Sequence, residues 1–231
     1  MMNHFTVEKE FIQAITETGI TPPEQVTING KIDRFSTNGK VGNKDGWYCV
    51  NSSENVSYGV FGCWRSGVKG KWTSVDESTL DSSQLSKIHD DRKRIQKLVK
   101  HEREVAQENA TKQAERIWNE STEANHEHPY LIKKGVKPHS LKQTQRDGHD
   151  ILLAPMRDLE GNLRSLQRIY PDGKKLFLKD GQVKGLFHTI GEPSPTRIIA
   201  EGYATAATLH ESTGHCVHVA FNCHNLQSVA E

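Results

Sequence analysis

The stretch Arg197-Ile-Ile-Ala-Glu-Gly-Tyr-Ala-Thr-Ala-Ala-Thr-Leu-His-Glu-Ser-Thr-Gly214 limits the possible folds more than any other part of this chain. Its apolar opening reads as a strand over residues 197–200. The alanine-rich run over 203–212 reads as a helix stopped by Gly214, and the apolar segment 216–221 reads as a second strand. A strand, helix and strand in such close succession pair their strands in parallel through a right-handed crossover. In sheets of this kind, sites gather at the carboxyl ends of the strands, where helix amino ends point their N–H groups outward. Glu201 stands at one such end, and Gly202 lets the backbone turn tightly behind it. An acid in that place is either part of a site or an ordinary loop residue.

Three further parts lie upstream. From 126 to 192 the elements are short. His128-Pro129-Tyr130-Leu131 opens a helix that ends near Gly135, and strands follow over 150–155, 165–169, 175–178 and 186–190. Asp158-Leu159-Glu160-Gly161 and Pro171-Asp172-Gly173 make the turns between them. From 81 to 125 the chain reads as one long helix. Asp81-Ser82-Ser83 supplies a cap, and neither Gly nor Pro interrupts it before Pro129. Leu85, Ile88, Ile95, Leu98, Val99, Val105, Ala110, Ala114 and Ile117 form a thin apolar stripe, which suits a connector, a packing arm or a weak coiled coil. Its basic first half, Lys87 to Lys100, is either a phosphate contact or a solvated face.

Residues 1–80 open with a helix over 7–18, broken by Pro22-Pro23. Strand-like pieces at 25–28, 47–50 and 58–61 are separated by Asn29-Gly30, Asn38-Gly39 and Asp45-Gly46, which are turn signals of a small antiparallel sheet. Trp47, Tyr48, Tyr58, Phe61, Trp64 and Trp72 form either a mini-core or, with Arg65, Lys69 and Lys71, a base-stacking platform. The expected fold class is α/β with an α+β amino-terminal region. It comprises a β-rich module (1–80), a helical connector (81–125), a basic subdomain (126–192) and the β-α-β unit (196–231).

Charge is unevenly distributed. Between Leu131 and Ile190 there are 12 Lys or Arg against 6 Asp or Glu, a local +6 that leaves −5 for the rest of a chain with net charge +1. A basic segment on an otherwise acidic chain fits a polyanion footprint or a solvated basic face. No apolar run is long enough for a membrane span, and no basic-then-apolar start marks a signal peptide. The 4 cysteines show no dense framework, which suits a reducing cytoplasm. Cys216, His218, Cys223 and His224 are spaced as weak zinc candidates, but the first two fall in an apolar strand. His126 and His128 lack a third ligand nearby, and the glycines at 181, 185 and 191 lack a phosphate-loop signature.

The segment 199–214 resembles the first motif of the Toprim domain of primases from phages, plasmids and integrative elements. Leu152-Leu-Ala-Pro-Met-Arg-Asp-Leu-Glu-Gly-Asn-Leu-Arg-Ser-Leu-Gln-Arg168, Lys174-Lys-Leu-Phe-Leu-Lys179 and Val183-Lys-Gly-Leu-Phe-His188 resemble the basic subdomain that precedes it. Gly46-Trp-Tyr-Cys49 and Gly62-Cys-Trp-Arg-Ser-Gly67 resemble the amino-terminal region of plasmid-type primases.

The resemblance implies nucleotidyl transfer from nucleoside triphosphates on a single-stranded DNA template, with Mg²⁺ and a possible helicase partner. It implies acid/base work or a share in the metal site for Glu201, beside Gly202. It implies phosphate or nucleotide contacts for Arg157, Arg168, Lys175, Lys179 and Lys184, the last paired with Gly185. Relatives carry an Asp-x-Asp motif further along. Here the sequence after Phe221 reads Asn222-Cys-His-Asn-Leu-Gln-Ser-Val-Ala-Glu231, with Asn222 where an aspartate is expected. The expectation is a piece of a longer primase or a truncated product that binds Mg²⁺ poorly and polymerises little by itself. A non-catalytic nucleic-acid-binding module and a mobile-element interaction or regulatory protein are the alternatives.

Overall fold

The computed structural model describes residues 4–40, 42–53, 55–146 and 148–231, and the chain forms two compact units, Met1–Glu102 and Arg103–Glu231. In the first unit, helix α1 (His4–Thr16) places Val7, Phe11 and Ile15 on one stripe. That stripe packs on an antiparallel sheet in the order β1 (Asp33–Phe35), β2 (Gly46–Ser52), β3 (Ser57–Cys63) and β4 (Lys69–Thr73). Phe11 is fully buried, with ring centroids of Tyr48, Phe61 and Trp72 at 5.9, 5.7 and 5.7 Å. Gly59 makes room for it, because a Cβ there would stand 2.7 Å from the Phe11 ring.

The long helix α2 (Ser82–Asn119) covers the opposite face, where Ile95 and Val99 meet Trp47, Cys49 and Val60, and Ile88 meets Tyr58. Trp47, Tyr48, Tyr58 and Phe61 are therefore core residues rather than a stacking platform. Trp64 keeps some exposure and carries the Arg34 guanidinium 3.6 Å from its ring centroid. Residues 25–28 form no strand. Their amides are taken by side chains instead: Val26 N–H donates to Glu8 at 2.7 Å and Thr27 N–H to the Tyr48 hydroxyl at 3.0 Å.

The reciprocal bonds of Asp81 and Gln84 set the start of α2, each side chain accepting the other's N–H at 2.8 and 3.1 Å. Part of its basic half is committed within the first unit: Arg92 pairs with Glu77 at 2.8 Å and Arg94 with Asp91 at 3.2 Å.

The second unit holds a five-stranded antiparallel sheet: β5 (Thr122–Glu123), β6 (Lys142–Arg146), β7 (His149–Arg157), β8 (Leu163–Ile169) and β9 (Lys175–Phe177). Helix α3 (Pro129–Lys134) precedes β6, and its C-cap Gly135 adopts φ 65°. A three-stranded sheet has β12 (Cys216–Val219) between β10 (His188–Ile190) and β11 (Arg197–Ala200). β11 and β12 pair in parallel from Arg197↔Cys216 to Ala200↔Val219 across α4 (Tyr203–Thr213). A short α5 (Leu226–Ala230) follows.

One face of the larger sheet sets Leu153 and Leu166 against Ala110 and Ala114 of α2. The other sets Leu152, Ala154, Met156 and Ile169 into the main core with Tyr130, Leu131, Ala206, Ala207, Val217 and Val219. Among the described residues, no helix is long and apolar enough to cross a membrane.

Candidate functional site

β11 ends at Ala200, and the chain turns through Glu201 and Gly202 into α4. Gly202 is the N-cap, in extended geometry (φ −127°, ψ 152°) and with no side-chain cap bond. The first-turn N–H groups of α4 thus face the end of the sheet without a capping oxygen from that position. Glu201 itself is exposed.

Lys175, at the start of edge strand β9, reaches this same end. Its ammonium lies 3.5 Å from the place a Cβ on Gly202 would occupy, and 5.7 Å from the ring centroid of Tyr130. The Lys175 pKa is lowered, first by desolvation and then by the Lys134 charge, while Glu201 opposes the shift. Two charged groups from other elements therefore act on Lys175 here: the carboxylate at the strand end and a lysine from the last turn of α3.

Beneath them Tyr130 is buried, at 1% exposure, and its hydroxyl makes no hydrogen bond. Burial pushes that phenol's pKa up and the Ala204 amide pulls it down, so the amide is near but outside hydrogen-bonding geometry.

The remaining basic candidates fall in two groups. Lys179 and Lys184 are exposed on the loop that leaves β9. Gly185, with φ 75°, follows Lys184 and donates its N–H to Asn225 Oδ1 at 2.7 Å. Asn225 is 2% exposed and its Nδ2 donates to the carbonyls of Leu186 and Ala220, both at 2.9 Å. One buried amide thus pins the Lys184-Gly185 loop to the chain just beyond β12, the direct neighbour of β11.

Arg157 and Arg168 lie elsewhere. Arg168 pairs with Leu153 and Leu176 in register, so strand alternation places it on the face that α2 covers. Arg157 donates to the Gly161 carbonyl at 2.9 Å and stands 5.8 Å from the Trp118 ring centroid, on the same side. The larger sheet separates both arginines from the Glu201 end.

Cys216, His218 and His128 serve the fold, whereas His126, Cys223 and His224 are exposed. Cys216 is buried, and His218 Nδ1 is 3.0 Å from the Thr189 hydroxyl. His128 caps α3 through Nδ1, which accepts the Tyr130 N–H at 3.2 Å, while its Nε2 is 3.0 Å from the Asp150 carbonyl. Among the described residues no group of three or more His, Cys, Asp or Glu is placed to hold a metal ion. No such group includes Glu201, so the described residues do not complete a magnesium site at that carboxylate.

Tyr130, Lys134 and Asn225 were missed as site residues by sequence reasoning. Tyr130 and Lys134 stand four apart on a helix that ends at Gly135, a spacing that puts them on one face. That was the available signal. Nothing local marks Asn225.

Two proteins named DNA primase TraC, both from Escherichia coli, are similar to this chain. One is 34% identical over 98% of this chain and 22% of its own length, the other 30% identical over 98% of this chain and 16% of its own length. The chain thus spans about a fifth of the length of the curated relatives it matches, and the resemblance to plasmid-type primases extends over nearly all of it. No protein-family profile matches the chain. No solved structure matches it.

Proposed function

We propose that this chain is a primase-type segment, with the opening of a Toprim domain at 196–231, that handles the phosphates of single-stranded DNA and nucleoside triphosphates. The observation that carries the reading is the Lys175 ammonium, which stands against Gly202 at the carboxyl end of a parallel strand and feels the charges of Lys134 and Glu201. Lysines in that place supply point charges for phosphate oxygens. Lys179 and Lys184, on the exposed loop that Asn225 fixes, extend the positive surface away from the site. Glu201, exposed to solvent, is the group for acid/base work in nucleotidyl transfer. Arg157 and Arg168 are assigned to a separate phosphate contact on the α2 side.

The reading makes a quantitative prediction. Single-stranded DNA affinity should fall steeply with salt, and the double variant Lys179→Ala/Lys184→Ala should flatten the log–log slope by about 1.4, at roughly 0.7 per lost contact. Titration of a fluorescent oligonucleotide at several salt concentrations measures it, and a salt-independent affinity would remove the phosphate contacts. For the catalytic role, Glu201→Gln in a full-length primase should abolish primer synthesis and leave DNA binding within about twofold; retained synthesis would release Glu201 from the mechanism.

A further inference from the structure

The Tyr130 hydroxyl is a buried polar group at this end that has no hydrogen-bond partner among the described residues. It is buried among the side chains of the main core, makes no hydrogen bond, and comes close to the Ala204 amide in the first turn of α4. Leaving such a group unpaired is unfavourable. Replacing it by the bare ring of phenylalanine would preserve the packing with Leu131 and Ala206. Two further features converge on the same point. The helix start has no side-chain cap. The Lys175 ammonium stands over the Tyr130 ring and against Gly202, 3.5 Å from the place a Cβ there would occupy.

We infer that the Tyr130 hydroxyl, the first-turn amides of α4 and the Lys175 ammonium together form a subsite for a phosphate oxygen, next to Glu201. N–H groups at a helix start and a neighbouring ammonium are the donors such an oxygen needs, and a phenol hydroxyl adds a neutral donor that does not repel Lys175 or Lys134. Lys175 is the movable part. It sits on an edge strand of three residues, and its ammonium now lies above the ring. Glu201 lies beside the subsite rather than in it, so it repels an anionic ligand modestly.

The ligand class is a phosphoanhydride, either the tail of a nucleoside triphosphate or free pyrophosphate. This choice rests on the nucleotide-handling reading above; the anion subsite itself does not.

The test is calorimetric titration of the whole chain with sodium pyrophosphate, alongside thermal melting. Tyr130→Phe should bind pyrophosphate about tenfold more weakly, with a melting temperature unchanged or raised, because the lost hydroxyl had no partner. Lys175→Met should weaken binding at least as much. Glu201→Gln should tighten it severalfold by removing a like charge. Unchanged binding in Tyr130→Phe overturns the inference, as does a lowered melting temperature with binding intact, which would make the hydroxyl a structural group.

Competition then separates the sources. ATP should displace pyrophosphate and an oligonucleotide lacking a terminal phosphate should not; displacement by the oligonucleotide alone overturns the phosphoanhydride assignment. Should Tyr130→Phe lose pyrophosphate while DNA affinity proves independent of salt, the subsite stands and the primase reading falls. Should wild type and Tyr130→Phe bind alike while the salt slope behaves as expected, the reverse holds.

Discussion

Asn225→Ala is expected to destabilise the second unit by about 3 kcal/mol, from three hydrogen bonds of about 1 kcal/mol each. The side chain joins two separate stretches, Gly185-Leu186 and Ala220, through three hydrogen bonds. Alanine satisfies none of them, and the site is too closed for water to replace all three at once. The variant should also release the loop that carries Lys184, so its single-stranded DNA affinity should drop with it. Urea unfolding followed by circular dichroism measures the first effect; a loss under about 1 kcal/mol would mean that the amide network is not what fixes this loop. Asn225→Asp sharpens the test. It keeps the acceptor for Gly185 but turns a second oxygen toward two carbonyls, so it should be worse than wild type at neutral pH and recover partly on acidification.

Acid should weaken the same unit in the wild-type chain. His188 is 3% exposed, and burial is the main cause that lowers its pKa to about 4; its bond to the His139 carbonyl opposes this only in part. The folded state therefore holds the neutral ring and resists the proton that the unfolded chain accepts near 6.5. Stability from this residue is complete above pH 6.5 and is lost as pH falls toward 4. The loss is about 3 kcal/mol, at 1.36 kcal/mol per pH unit. Glu211 adds in the same direction. Its carboxylate accepts from the Lys137 amide at 2.8 Å and lies 2.7 Å from His139 Nε2, and its pKa is lowered despite partial desolvation. Urea midpoints at pH 7, 5.5 and 4 test the slope. His188→Gln, which can still donate to the His139 carbonyl but cannot ionise in this range, should lose most of it; an equally steep slope in that variant would assign the acid sensitivity elsewhere.

The β-α-β unit was legible because its apolar runs, its alanine-rich helix and its two glycines all agree on one local geometry. The strands of the larger sheet were legible where burial imposes a pattern, as in Leu152 to Met156. β6 was not. Its Lys-Gln-Thr-Gln-Arg has no apolar rhythm, and it is a strand because β7 offers it a partner. The reverse failure occurred at 25–28, where an apolar alternation exists but Glu8 and Tyr48 take the amides that a neighbouring strand would have needed.

At the site, the residue types were readable and their grouping was not. Lys175 and Arg168 look equivalent in sequence, yet strand alternation sends them to opposite faces of one sheet. Which face receives α4 and which receives α2 depends on contacts between residues some fifty positions apart, which no local pattern encodes. Tyr130 could have been noticed by its spacing from Lys134, or as a polar tip on an otherwise core-like ring.

Helix α2 buries Ile88, Ile95 and Val99 in one compact body and Ala110 and Ala114 in the other, with the division falling at Glu102 and Arg103. Its middle is consequently the place to separate the halves for study. A gene fragment ending near residue 80 would leave the aromatic sheet with one side open to solvent, and one beginning near 125 would do the same to Leu153 and Leu166. Each piece has to take its own share of the rod to remain soluble.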